Sequence, residues 1–406
     1  MTDQKRENLL NLALAATEVE RRRVPELSAG YNSYSKTWEV IVQYQGDLAF
    51  LEGQGVRVTL LLFSYAILLV PESLMDYVTG LPQITYLEKP KLLYFADAFV
   101  RSISCITPVQ EGVMGLSGNG VLLACIDSGV DYAHPDFCAP DGTSRIAILW
   151  DQTIPGNPPM GYALGSVYTR QQINEALASS TPEERFALVP SRDVTGHGTA
   201  VLGIAAGNGR SSADAAMRGV APEATLVVVK LGNPDPADLP RTSQLLQAVD
   251  FCVRYALLVE RPLVINLSFG NNYGSHSGDS LLETYLNAVS NLGQNVICIG
   301  AGNEGDTGRH YAGNLKSDRK SSGQTQTVRA TSDPAATSAV SATADRAVSV
   351  EFQVGAYESS FSLQIWKVYG DEISIELISP GGIRSGTLSP VLGCLLYTSD
   401  AADDKA

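Results

Sequence analysis

Two side chains in this 406-residue sequence stand where acid–base chemistry can be done. The first is Asp127, at the end of the apolar run Val121 to Ile126, in Ala124-Cys125-Ile126-Asp127-Ser128-Gly129-Val130-Asp131. A carboxylate placed where a buried strand stops can be held by backbone N–H groups at the functional edge of a sheet. Taken alone, it reads more simply as an aspartate capping a turn with Gly129. The second is His197, in Asp193-Val194-Thr195-Gly196-His197-Gly198-Thr199, at the mouth of an Ala/Gly-rich segment that runs to Gly209. Only four histidines are present (His134, His197, His276 and His310), so few imidazoles compete for the role of base. Flanking glycines let a substrate approach the ring, and a carboxylate can fix its tautomer by accepting the Nδ1 hydrogen. That bracket, with the aspartate upstream, makes His197 a general-base candidate partnered by Asp127.

Two further segments have the makings of a binding site. Val264-Ile265-Asn266-Leu267-Ser268-Phe269-Gly270 is a strand running into small residues. Ser268, Phe269 and Gly270 there offer an edge to an extended peptide, with room for a side chain at Gly270; a buried strand ending in a turn fits equally. In Val296-Ile297-Cys298-Ile299-Gly300-Ala301-Gly302-Asn303-Glu304-Gly305, Asn303 follows a strand and a Gly-Ala-Gly turn. Its amide can donate to a developing oxyanion, or it can be an asparagine serving a left-handed turn.

These residues need a scaffold, and the pattern between Val121 and Gly305 supplies one. Apolar runs at Val121–Ile126, Ala224–Leu231, Leu263–Leu267 and Val296–Ile299 alternate with longer segments. Leu245, Leu246, Val249, Cys252, Val253 and Ala256, then Leu281, Leu282, Tyr285 and Val289, are spaced as helix faces. Near-continuous apolar strands alternating with helices predict an α/β fold with a parallel sheet covered on both faces. The functional residues then belong at the carboxyl ends of its strands. Residues Ile154 to Ser191 read as groove loops without legible pocket chemistry.

The flanks differ in composition. Residues 1–100 read as a small α/β domain, with strands at Trp38–Tyr44, Tyr65–Val70 and Ile84–Leu87 and a helix opening at Pro71. Residues 313–347 are rich in Ser, Thr and Ala without periodicity and read as a flexible segment. Residues 348–393 hold short alternating runs (Val348–Val354, Phe361–Trp366, Ile373–Ile378), as in part of a β-sandwich, and 394–406 form an anomalous tail.

Composition narrows the function classes. There are 29 Lys and Arg against 43 Asp and Glu, a formal net charge of −14, which opposes nucleic-acid binding through a broad basic surface. Six cysteines (Cys105, Cys125, Cys138, Cys252, Cys298, Cys394) form no CxxC pair and read as free thiols of a reducing compartment. Leu9 to Ala16 is interrupted by Asn11 and followed at once by charges, which fits an amphipathic helix better than a signal peptide. Val58 to Val70 is too short to span a bilayer, so no membrane span is expected.

Together the Asp127, His197, Ser268–Gly270 and Asn303 segments resemble the subtilisin-like (S8) serine proteases, over about Val121 to Gly305. The resemblance implies a doubly wound parallel sheet over residues 101–312 and serine-type endopeptidase activity on a protein or peptide. It makes Asp127 the triad aspartate, His197 the general base and Asn303 the oxyanion donor. Ser268, Phe269 and Gly270 match the substrate-binding strand, and Gly300, Ala301 and Gly302 the opposite pocket wall. More narrowly, the N-terminal domain and the region around Trp366-Lys367-Val368-Tyr369-Gly370-Asp371 look like the Csp-type proteases of clostridial spores. That likeness implies a propeptide cut near Phe95 to Cys105 that can stay bound after cleavage, an inserted β-sandwich, a cytoplasmic or spore-associated location, and a germination role. No cofactor is expected. Calcium is a family-level implication only, because Asp131, Asp136 and Glu304 match no EF-hand spacing.

The triad's third member is not in the sequence. Such an enzyme needs a serine at a helix start in Gly-Thr-Ser-x-x-x-Pro, and none follows Asn303. Gly142-Thr143-Ser144 precedes the histidine and has no matching proline, while Ser338, Ser389 and Ser399 lack the context. A fragment ending inside the inserted domain is the expectation, inactive as written. The alternative is a non-catalytic pseudoprotease or regulatory binding protein.

Overall fold

The computed structural model describes residues 5–91, 94–95, 106–111, 113, 115–212, 217–232, 239–303, 310–313, 340–342, 348–352, 354, 363–367 and 373–387. The chain divides into two compact units, Met1–Gly300 with Ile365–Ala406, and Ala301–Gln364.

The first unit opens with three helices, α1 (Asn8–Ala15), α2 (Glu18–Arg23) and α3 (Pro25–Ser28). Strands β1 (Tyr31–Asn32), β2 (Thr37–Tyr44), β3 (Arg57–Leu60) and β4 (Tyr65–Pro71) follow, then α4 (Met75–Gly80) and β5 (Ile84–Glu88). The strands form an antiparallel sheet in the order β1-β2-β4-β3, with β5 also paired to β2. The helix expected from Pro71 starts as a single 3₁₀ turn, Glu72–Leu74, with Pro71 before it. Both faces of this sheet are covered, which is why β4 is apolar throughout and β2 is buried from Trp38 to Val42, Glu39 included. Trp38, Val40, Val42, Ala66, Leu68 and Val70 point into the module's own core with Leu10, Leu48 and Val78. Alternate residues Ile41, Tyr65 and Ile67 join a different core, shared with the helices described next.

After β6 (Tyr94–Phe95) and α5 (Ile106–Glu111) comes the larger α/β layer. Its elements are β7 (Leu122–Asp127), β8 (Ile146–Asp151), β9 (Ser166–Thr169), α6 (Arg170–Leu177), α7 (Pro182–Leu188), α8 (His197–Ala206), β10 (Thr225–Lys230), α9 (Thr242–Leu258), β11 (Leu263–Leu267), β12 (Phe269–Gly270), α10 (Leu281–Ser290) and β13 (Asn295–Ile299). The sheet order is β13-β11-β7-β10-β8-β9, parallel except for the β8·β9 pair. Alternation along β7 shows the two covered faces: Leu122, Ala124 and Ile126 pack with α9 and α10, Leu123 and Cys125 with the α8 side. The register aligns Asp127 with Lys230, and Leu267 with Ile126 and Ile299, so the functional segments leave one end of the sheet. Ile154 to Ser191 is not loop: it carries β9, α6 and α7, whose starts are fixed by reciprocal Thr169–Gln172 and Thr181–Glu184 caps.

In the second unit, β14 (Val340–Ala342) pairs antiparallel with β15 (Val348–Val350), so the segment expected to be flexible contributes a strand. Most of the rest of 313–347, and all of 394–406, lies outside the described residues. The strands expected at Phe361–Trp366 and Ile373–Ile378 do not form a sandwich among the described residues. Residues 363–366 are not in a strand, and Ile378 makes one isolated bridge to Arg384. Leu363, Ile365, Trp366, Leu377 and Ile378 are exposed, and an alternating pattern makes a sheet only when a second layer buries its apolar face.

The N-terminal module is seated on α9 and α10 by polar groups as well as by the shared core. Glu39 accepts hydrogen bonds from the Ser243 hydroxyl and from Arg241 Nε at the start of α9. Glu88 accepts from the Leu281 amide (2.9 Å) at the start of α10 and also pairs with Lys91. Thr242 and Lys91 exchange two bonds, each 2.8 Å. Carboxylates at helix N-termini satisfy amides that lack intrahelical partners and oppose the helix dipole. Within α9, the fully buried Asp250 accepts from the Leu62 amide, Tyr162, Tyr285 and Arg254. Removing Glu88 leaves Lys91 and the Leu281 amide short of a buried partner. Glu88→Ala is therefore expected to lower stability by about 3–5 kcal/mol, measured by urea unfolding; a loss under about 1 kcal/mol would contradict this seat.

Candidate active site

Asp127 is the last residue of β7 and His197 the first of α8, so the site forms where a parallel strand stops and a helix begins. Gly196 precedes the helix at φ 77°, a backbone conformation that lets the chain turn sharply into α8. His197 Nδ1 lies 2.6 Å from Asp127 Oδ1, and Asp127 is 1% exposed. The same oxygen accepts from the Ser128 amide at 2.7 Å, and the Asp127 carbonyl accepts from the Leu231 amide at 2.8 Å. With Asp127 ionised, Nδ1 is the donor and Nε2 is left as the nitrogen able to take a proton.

Burial pushes the Asp127 carboxyl above its ordinary range, against the lowering influence of the His197 and Ser128 hydrogen bonds. Its Oδ2 is buried with no hydrogen-bond partner among the described residues. The charged form is thus partly unsatisfied, a common cost of holding a functional carboxylate in a dry site. The close approach of the two elements depends on Gly198, where a Cβ would sit 2.1 Å from the Gly129 carbonyl oxygen and 3.1 Å from Asp127 Cβ. The glycine after the histidine is therefore required by space as well as by access. Cys125, on the strand behind, contacts the Gly198 carbonyl, and burial raises its thiol well above the ordinary range, so it acts as a small apolar side chain.

The other sequence candidates fall as follows. Ser268 is half-buried and accepts from the Asn266 amide group (2.9 Å), while Phe269 and Gly270 form β12. That short strand is paired antiparallel with Tyr94–Phe95, Phe269 opposite Phe95 and Gly270 opposite Tyr94. Gly300 donates to the Leu267 carbonyl at 2.9 Å, next to Ser268. Ala301, Gly302 and Asn303 are exposed and belong to the second unit, with Gly302 at φ 92°. The structure thus brings together Asp127 and His197, and separately an extended segment and the strand expected to hold substrate. Ser144 serves a turn before β8: its amide donates to Asn174 and its hydroxyl accepts from the Ile146 amide. Ser338, Ser389 and Ser399 lie outside the described residues.

Asp131 accepts from the Ala133 amide and Asp136 from the Ser211 amide, while Glu304 lies outside the described residues. Among the described residues no cluster of three or more His, Cys, Asp or Glu side chains could hold a metal ion. Among them, too, no helix is long and apolar enough to cross a membrane. Cys125, Cys138, Cys252 and Cys298 are free thiols, and Cys105 and Cys394 are outside the described residues. Sequence reasoning missed Ser128 and Asp193, whose side chains bond to each other at 2.8 Å. The signal available was Asp193-x-Thr195-Gly196 ahead of a helix, a turn-and-cap pattern.

The model of the Csp protease B prodomain matches residues 4–91, and that of the subtilase family matches residues 118–403. Subtilisin E of Bacillus subtilis is 26% identical over 228 residues, 56% of this chain and 46% of its own length. The major intracellular serine protease of the same species is 29% identical over 205 residues, 50% of this chain and 49% of its own length. Among solved structures, the Clostridium perfringens CspB protease is similar with a TM-score of 0.54 and 29% identity, over 71% of this chain and 52% of that one. The chain spans about half the length of the curated relatives that it matches most fully.

Two outcomes follow from the site's packing and charge. Gly198→Ala is expected to overpack the strand–helix junction at a cost of about 1–3 kcal/mol, seen as a lowered midpoint in urea; an unchanged midpoint would mean the junction can relax. Asp127 binds its proton more tightly folded than unfolded, so the stability it costs above the folded pKa is recovered as pH falls through the folded pKa toward the unfolded one. Asp127→Asn should therefore melt at a higher temperature than the native chain at pH 7, with the gap narrowing in acid, by scanning calorimetry. A lower melting temperature at pH 7 would reverse the assigned sign.

Proposed function

This chain belongs to the subtilase family, and from that premise we propose that it is part of a serine endopeptidase acting on protein or peptide substrates. The observation that carries the proposal is the 2.6 Å contact between His197 Nδ1 and a buried Asp127 at the carboxyl end of a parallel strand. In the reading it supports, His197 Nε2 takes the proton of the attacking serine hydroxyl and later returns it to the leaving amine. Asp127 fixes the tautomer and stabilises the imidazolium. Asn303 donates to the tetrahedral oxyanion, a bond whose loss costs about 10²–10³ in kcat. Substrate extends along Ser268–Gly270, with Gly300–Gly302 as the facing wall. These 406 residues hold no serine in the Gly-Thr-Ser-x-x-x-Pro context after Asn303, and the proposed enzyme requires one.

Residues 1 to about 100 act in this reading as the propeptide of the same enzyme. The antiparallel pairing of Tyr94–Phe95 with Phe269–Gly270 supports it, since that is how a bound peptide would lie. Cleavage is placed between Phe95 and Cys105, and the contacts of Glu39, Glu88 and Leu62 with α9 and α10 give the cleaved module reason to stay bound. A role in spore germination and a cytoplasmic or spore-associated location are what the resemblance to the Csp-type proteases implies, and the likeness to the CspB protease of Clostridium perfringens fits that resemblance.

The test is to express the longer gene product and treat it with a fluorophosphonate probe. Labelling of one serine outside the present sequence, abolished in His197→Ala, is the expected result, and mass spectrometry should find a new N-terminus between Phe95 and Cys105. Correctly folded protein that labels nowhere would replace the enzyme by the non-catalytic pseudoprotease reading. An intact Met1 in labelled enzyme would overturn the propeptide.

A further inference from the structure

We propose that Asp193 is a positioning residue for the Asp127–His197 pair, its carboxylate tying the turn after Asp127 to the helix start that carries His197. The inference rests on that pair acting as the acid–base dyad, but the observations are separate from it. Asp193 lies four residues before His197 on the incoming segment. Its Oδ1 accepts from the Ser128 hydroxyl (2.8 Å), the Gly196 amide (3.0 Å) and the Thr195 hydroxyl (3.2 Å). Its Oδ2 accepts from the Thr199 amide (2.8 Å) and the Thr199 hydroxyl (2.7 Å). Five donors on one half-buried carboxylate are more than a helix cap alone needs, since a cap satisfies one or two amides of the first turn.

The partners on either side explain the surplus. Ser128 is the residue after Asp127; its amide donates to Asp127 Oδ1, and its hydroxyl passes from Asp193 to accept the Gly198 amide at 2.9 Å. Thr199 follows Gly198, and its hydroxyl accepts the Asp131 amide at 2.9 Å while donating to Asp193. Each hydroxyl therefore bridges Asp193 to the opposite element: Ser128 from the β7 turn to α8, Thr199 from α8 back to the turn at Asp131. Oδ1 and Oδ2 of one carboxylate so fix the strand end that carries Asp127 and the helix start that carries His197. Burial alone would raise the Asp193 carboxyl, but the Thr199, Ser128 and Gly196 hydrogen bonds hold it below its ordinary range, so it stays an acceptor at neutral pH. A neutral acid there would have to point a proton at one of its five donors.

Misplacement of a reacting pair by about 1 Å costs about 10²-fold in rate, so a residue that touches neither substrate nor the imidazole can still govern the pair. The measurement is proton NMR of the full 406-residue chain, following the His197 Nδ1 hydrogen shared with Asp127, which a short charge-assisted bond moves strongly downfield. The native chain should show that resonance. Asp193→Ala should lose it or move it upfield with the circular dichroism of the fold retained, and Ser128→Ala, which removes only the bridging hydroxyl, should do the same. Leu10→Ala, in the separate N-terminal core, should lower the melting temperature yet leave the resonance in place. An unchanged resonance in folded Asp193→Ala overturns the proposal; if that variant does not fold, an unchanged resonance in Ser128→Ala does so. A native chain without the resonance overturns the dyad itself, and this inference with it.

Discussion

A charged carboxylate held in a dry interior beside an imidazole is the constraint around which the rest of this fold is arranged. Asp127 is inaccessible to water, and the energy of leaving it there is offset by only a few donors, chiefly His197 and the Ser128 amide. Bringing those donors to it requires that a strand end and a helix start meet backbone to backbone. Only a glycine at 198 and a positive-φ glycine at 129 leave room for that meeting. The parallel sheet supplies the strand end, and Lys230 and Leu231 on the neighbouring strand fix its height. The α8 side is held by the small residues that make that helix pack closely.

The N-terminal module answers a different demand of the same architecture. Helices α9 and α10 cover one face of the sheet, but their outer sides and first turns present apolar rings and unpartnered amides. The sheet of the module covers the rings, with Tyr65 stacked edge-on to Tyr285 at 5.3 Å and bonded to Thr284. Glu39 and Glu88 meet the helix starts. A two-faced sheet explains why β4 lacks the polar alternation of a half-solvated strand. The chain then leaves β5, crosses the helix starts at Lys91, and reaches the β12 edge at Tyr94–Phe95.

What the sequence made legible was what burial writes into it. Strands β7, β10, β11 and β13 are near-continuous apolar runs, and α9 and α10 carry one apolar stripe at helical spacing, so each stood out. Asp127 and His197 were legible because each sits at a break in such a pattern, Asp127 two residues before Gly129 and His197 between two glycines. β9, α6 and α7 were not, because β9 is four residues long, α6 buries only Ile173 and Ala176, and α7 buries no residue fully. For Asp193 only the local turn-and-cap pattern was legible; its link to Ser128 was not, because the two lie 65 residues apart and hydrogen bonds across that separation leave no periodicity.

The central claim is that Asp127 and His197 form a working pair, and kcat of the longer, serine-bearing gene product against its Asp127→Asn variant tests it most directly. The account predicts a fall of about 10⁴-fold with a folded, correctly processed protein, because the amide leaves the imidazole in the wrong tautomer. A variant that keeps kcat to within about tenfold, a barrier change of only about 1.4 kcal/mol, would show that the 2.6 Å contact is structural and that the chemistry, if any, is done elsewhere.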